Sequence, residues 1–154
     1  MFLHEVFPLE CIKIDLESED KDEAFEELVD YLCQTSLTDA RDAILTALKQ
    51  REAKMSTGIH QGIAIPHGTT AAIDRLYGVL GVSRKGIDYD ALDGEPVYLL
   101  FMIIAPPGET ETHLHILKRL AELFEDTQFY NDLLAQKDVQ GAYKIICNYE
   151  META

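Results

Sequence analysis

Basic side chains are scarce in this sequence: 13 Lys and Arg stand against 28 Asp and Glu, giving a formal charge of −15 and a pI near 4.5. Binding nucleic acid or an anionic membrane requires a basic face to neutralise phosphates, so the balance excludes both and favours a protein partner with a basic surface. Cysteine is sparse as well. Cys11, Cys33 and Cys147 form no CxxC pair, and an odd number without metal-type spacing points to a reduced, cytosolic protein whose thiols are packing residues. The longest apolar run, Val97 to Ala105, is far short of the roughly 20 residues of a membrane span. The start Met1-Phe2-Leu3-His4-Glu5 lacks the cationic segment and apolar core of a signal peptide. The expectation is a soluble, cytoplasmic chain with no direct membrane insertion. There is no GxxxxGK[ST] segment for direct use of a nucleoside triphosphate, and no internal repeat, low-complexity tract or Pro/Gly/Ser-rich linker. The 154 residues therefore read as one domain, 1–154, able to bury about two-thirds of its unfolded surface without an accessory cofactor.

What is present alternates between strand and helix patterns. Cys11 to Leu16 has the strand period, and Asp20 with Glu23 resembles a capping box opening a helix through Cys33, with Ala24, Phe25, Leu28, Val29 and Leu32 as its core stripe. A second helix from about Thr38 carries Ala43, Ile44, Ala47 and Leu48 on one face, and Arg51 continues that face. Arg51 either lays its stem on the core and pairs with a carboxylate or serves a site at the helix end. Leu76 to Val82 and Ile87 to Tyr89 read as strands, Asp90 to Pro96 as a turn region, and Val97 to Ala105 as a central strand buried on both faces, ended by Pro106-Pro107-Gly108. A helix beginning near Thr112 buries Ile116, Leu117, Leu120 and Phe124, with His113 on the same side and His115 on the side of Lys118, Arg119 and Glu122. Helices over 128–136 and 139–149 complete an α/β domain with a mixed β-sheet and helices packed on both faces.

The chain is organised around Ser56-Thr57-Gly58-Ile59-His60-Gln61-Gly62-Ile63-Ala64-Ile65-Pro66-His67-Gly68. Pro66 fixes its own φ and makes Ile65 extended, so Ile63 to Pro66 reads as a brief strand that delivers His67 at its end. Gly68 permits a sharp reversal and leaves room for a ligand or another protein's backbone to approach the imidazole closely. A neutral imidazole has one free lone pair while its other nitrogen is held by a hydrogen bond, which suits an exposed nucleophile; a histidine after a strand is otherwise an ordinary loop residue.

Residues Ser56 to Gly68 closely resemble the phosphorylation-site motif of the fructose/mannitol-type IIA proteins of the bacterial phosphotransferase system, with the nitrogen-regulatory branch the nearest likeness. Arg51-Glu52, Leu99 to Pro107 and Thr112-His113-Leu114-His115 extend the resemblance over most of the chain. The sequence departs from the family pattern at Met55 and at His60, where glycine is common. The resemblance implies that His67 is the phosphorylated nucleophile, that His113 stabilises the phosphoryl group, that Arg51 supplies active-site electrostatics, and that Thr57, Gly58, Gly62, Pro66 and Gly68 shape the binding loop. It also implies a phosphocarrier protein of the HPr or NPr type as donor, a regulatory target or a IIB protein as acceptor, and neither metal nor cofactor. The helical-face reading independently prefers His113, on the buried side, to His115, and a first-turn histidine lies among free backbone N–H groups that favour neutral imidazole and welcome an anion. At His60 a positive φ is the expected reason for the family's glycine, with the side chain on the loop surface near the nucleophile. Against a metal-dependent enzyme built from His60, His67, His113 and His115, two imidazoles two residues apart on a helix diverge by about 160°, and no HExxH spacing is present.

Overall fold

The computed structural model describes the backbone of residues 1–36 and 39–153, and the side chains of these apart from Ser36, Ile59, His60, Glu152 and Thr153. In chain order the elements are α1 (Leu3–Val6), a 3-10 turn (Leu9–Cys11), β1 (Ile12–Lys13), α2 (Lys21–Ser36), α3 (Arg41–Glu52), β2 (Gly58–His60), β3 (Ile63–Ala64), β4 (His67–Thr69), β5 (Tyr77–Ile87) and β6 (Val97–Ala105). A second 3-10 turn (Pro107–Glu109), α4 (Thr110–Phe124), α5 (Thr127–Ala135) and α6 (Val139–Thr153) follow.

Alternation along the apolar run Val97 to Ala105 decides the layering. Leu99, Phe101, Ile103 and Ala105 point into a core shared with α1, α4, α5 and α6, whereas Leu100, Met102 and Ile104 point into a second core beneath α2 and α3. β6 is thus buried on both faces, as its unbroken hydrophobicity requires. The sheet order is β1-β5-β6-β3-β2, with β4 also on β6; the β5–β6 and β2–β3 pairings are antiparallel, and β1–β5, β3–β6 and β4–β6 are parallel. The expected mixed α/β sheet with helices on both faces is what the chain forms.

Several local expectations are corrected. β1 covers two residues instead of Cys11 to Leu16, because Leu9–Cys11 is taken by the 3-10 turn; Leu16 N–H still reaches the Val82 carbonyl at 3.1 Å. The two strands expected between Leu76 and Tyr89 are one, β5, whose register slips between Val82 and Ile87 around Gly86 at φ +89°. The start of the second helix near Thr38 falls outside the described residues, and α3 begins at Arg41. α4 begins two residues before Thr112. Asp20 does cap α2, accepting from the Glu23 N–H at 2.9 Å. The short α1 carries no periodicity to betray it and is held from a distance: the buried Glu150 carboxylate accepts from the N–H groups of Leu3 and His4.

Candidate active site

β3 and β4 share one register on β6, with Ile63 and Ala64 opposite Leu99 and Leu100, and His67, Gly68 and Thr69 opposite Ile103, Ile104 and Ala105. They lie on one strand line along β6, interrupted at Ile65-Pro66, since proline has no N–H to give a ladder. The Pro66 carbonyl still accepts from Ile103 N–H at 2.9 Å. His67 therefore opens β4 and does not end the preceding strand, and it is half-buried rather than exposed. Its Nδ1 lies 2.7 Å from the Ile65 carbonyl oxygen. A carbonyl can only accept, so Nδ1 carries the hydrogen and the Nε2 lone pair is left free.

Partnered with Ile103, His67 stands on the sheet face covered by α4. There His113, fourth residue of α4 and 8% exposed, sets its ring edge-on to that of His67, with centroids 5.5 Å apart and planes at 85°. The His113 Nε2 is buried without a hydrogen-bond partner. Burial pushes His113 down to about 4, with His67 adding to the shift. Burial also holds His67 below its ordinary value, with the Ile65 carbonyl opposing, Arg51 adding and Glu52 opposing. Both imidazoles are neutral at pH 7. The Arg51 guanidinium donates to the Met55 carbonyl at 2.9 Å, has no ion-pair partner among the described residues, and acts on His67 through its charge. The half-buried His67 thus meets a buried nitrogen of His113 that has no partner, with the Arg51 charge near enough to act on His67. Among the described residues no three His, Cys, Asp or Glu side chains converge as a metal ion would require.

Residues 5–149 match the family described as "Phosphoenolpyruvate-dependent sugar phosphotransferase system, EIIA 2". The chain belongs to that family. As a IIA component of the phosphotransferase system it is a phosphoryl carrier. It is 36% identical to the fructose-specific EIIA component of Haloferax volcanii, covering 92% of each chain. It is also 34% identical to the nitrogen regulatory protein of Escherichia coli, over 96% of this chain and 91% of that one. In the fructose-specific EIIABC component of Bacillus subtilis, 35% identical over 97% of this chain, the match spans only 24% of the longer protein. The fold superposes on the nitrogen regulatory protein IIA-Ntr of Neisseria meningitidis with a TM-score of 0.85, at 32% identity over 94% of this chain and 98% of that one. A mannitol IIA from E. coli, solved in complex with its phosphorylated IIB, shares the fold at 18% identity and a TM-score of 0.75 over 90% of this chain and 95% of that one.

The remaining loop residues of this IIA domain hold the architecture. Thr57 is 3% exposed and commits both its N–H and its hydroxyl to Glu52, at 2.8 and 2.6 Å, so neither is free for a ligand. At Gly58 a Cβ would lie 2.7 Å from the Ala91 Cβ and 2.9 Å from Tyr89. At Gly68 a Cβ would lie 3.0 Å from the Ala47 carbonyl group, so α3 packs directly against this glycine. Gly62, at φ +87°, follows Gln61 at φ 39° in the two-residue turn of the β2–β3 hairpin. That turn is where the loop needs positive φ. His60 lies in β2 opposite Ile63, four residues up the strand line from His67, or about 13 Å at strand rise. The expectation for its side chain lies outside the described residues, but its backbone is at the far end of the hairpin. His115 is exposed on α4. Sequence reasoning missed Glu52 and the groups around it, although the buried spacing of Leu45, Leu48 and Glu52 on α3 is a signal for it.

Proposed function

We propose that this protein takes a phosphoryl group from a phosphocarrier of the HPr or NPr type onto Nε2 of His67, and that the phosphorylated and free forms differ in binding a regulatory target protein. The observation that carries the phosphoryl site is the pairing of a His67 whose Nδ1–H is committed to the Ile65 carbonyl with a buried, unpartnered His113 Nε2 at ring contact. In the transfer the donor's P–N bond breaks, its electron pair returns to the donor imidazole, and a new P–N bond forms at the His67 Nε2. No proton has to move, because each imidazole keeps the N–H on its other nitrogen. One P–N bond replaces another, so the work of the site is positioning and neutralisation of the equatorial oxygens, supplied by His113 and Arg51. No metal or cofactor enters the step.

The regulatory output rests on likeness to nitrogen regulatory proteins over nearly the whole chain. A phosphoryl group adds nearly two negative charges to an acidic surface, enough for one state to bind a partner better than the other. The similar identity to a fructose-specific EIIA component supports a second reading, in which His67 passes its phosphoryl group to a IIB protein. Incubation with phosphoenolpyruvate and the general phosphotransferase proteins, followed by intact mass, is expected to give one acid-labile phosphoryl group, absent in a folded His67→Ala variant. Labelling that survives the substitution would refute the site. Pull-downs with wild type and His67→Ala separate the outputs, since exclusive recovery of a sugar-specific IIB protein would favour transport.

A further inference from the structure

Glu52 is buried, negatively charged and unused in the step above. Burial pushes its carboxyl up, but bonds from the Thr57 hydroxyl and N–H and from Lys21 outweigh this and hold it below the usual carboxylate range. Lys21 Nζ lies 3.0 Å from Oε2 and 4.7 Å from the centre of the Tyr89 ring, and the Tyr89 hydroxyl lies 2.7 Å from that of Thr57 and 3.3 Å from Glu52 Oε1. A buried ion pair is a poor source of net stability, so stability alone is a weak account of this cluster.

A second feature shows what it serves. Ile65 lies between β3 and β4, and Pro66 joins the ladder through its carbonyl alone, yet the Ile65 carbonyl selects which nitrogen of His67 is free. Ile65 is held instead by its own N–H, which donates to the Thr57 carbonyl at 3.0 Å. Thr57 in turn precedes β2 and is anchored at both its N–H and its hydroxyl by Glu52. A continuous series of hydrogen bonds thus runs from Lys21 through Glu52, Thr57 and Ile65 to Nδ1 of His67, bridging the gap that Pro66 opens in the strand.

We infer that Glu52 is a positioning residue for the phosphorylated histidine: by anchoring Thr57 it aims the Ile65 carbonyl at His67 and keeps the imidazole in the tautomer with Nε2 unprotonated. The inference rests on the proposed function for its catalytic consequence, but its structural consequence is readable in the unphosphorylated protein. The bonds enter and leave Thr57 and Ile65 on different peptide groups, so the link from Glu52 to His67 is one of position.

The test uses the full chain labelled with ¹⁵N. Long-range ¹H–¹⁵N spectra of wild type are expected to show His67 in one tautomer, with Nδ1 protonated. In Glu52→Gln the two tautomers should mix, and phosphoryl uptake at saturating donor should slow about tenfold or more, with the donor concentration for half-maximal rate little changed. Thr57→Val, which loses the hydroxyl, should shift the tautomers in the same direction and slow uptake about fivefold, while Thr57→Ser keeps both wild-type behaviours. A folded Glu52→Gln protein with the wild-type tautomer and an uptake rate within about twofold of wild type would overturn the inference. Should Glu52→Gln not fold, Thr57→Val decides alone, and wild-type behaviour there overturns it equally. Wild-type protein that takes up no phosphoryl group would refute the proposed function and leave the tautomer comparison to judge Glu52.

Discussion

Acid should unfold this protein partly through His113, and the size of the effect can be worked from its burial. The folded-state pKa is depressed from 6.5 to about 4, so between those values the unfolded chain binds a proton that the folded one refuses. The sign follows: the stability associated with neutral His113 is fully present above about pH 6.5, is lost progressively as pH falls towards 4, and changes no further below that. At pH 5 the unfolded state gains about 2 kcal/mol from this residue, rising to about 3 kcal/mol below pH 4. Urea unfolding at pH 7 and pH 5 for wild type and His113→Leu isolates the contribution, because the carboxylates titrate alike in both proteins and cancel in the difference. His67, also depressed by burial, weakens both proteins in acid in the same direction. Removing a buried nitrogen that has no partner costs little at neutral pH. Wild type should lose about 2 kcal/mol more than the variant between the two pH values, a midpoint difference of about 1 M urea. Equal losses would show that burial does not depress His113 in the folded protein, and the reasoning from its burial would fall.

His113→Ala should slow phosphoryl transfer by about one to three decades, whereas His115→Ala should change it little, since only the first faces His67; equal effects in a stopped-flow or quench assay would contradict the geometry. Gly68→Ala should cost about 1–3 kcal/mol in thermal or urea unfolding by pushing α3 off β4 at Ala47, and unchanged stability would mean that α3 can yield there. His60→Gly should keep labelling at His67 within severalfold by intact mass, because residue 60 pairs with Ile63 at the far end of the hairpin; lost labelling in a folded protein would bring His60 into the site.

The sequence alone determined whatever depends on local periodicity. Unbroken apolarity from Val97 to Ala105 meant a strand covered on both faces, and the stripe on α4 placed His113 inward and His115 outward. Spacing along one element reports which face is buried because every side chain on that face meets the same neighbour. Tertiary structure decided what lies opposite. That the strand line along β6 breaks at Pro66 and resumes at His67 follows from the register on β6, and that Gly68 serves helix packing follows from α3 lying against it. The anchoring of the nucleophile was hidden for the same reason: Lys21, Glu52, Thr57 and Tyr89 come from four separate stretches, and a buried carboxylate is intelligible only once the groups that neutralise it have been brought to it by the fold.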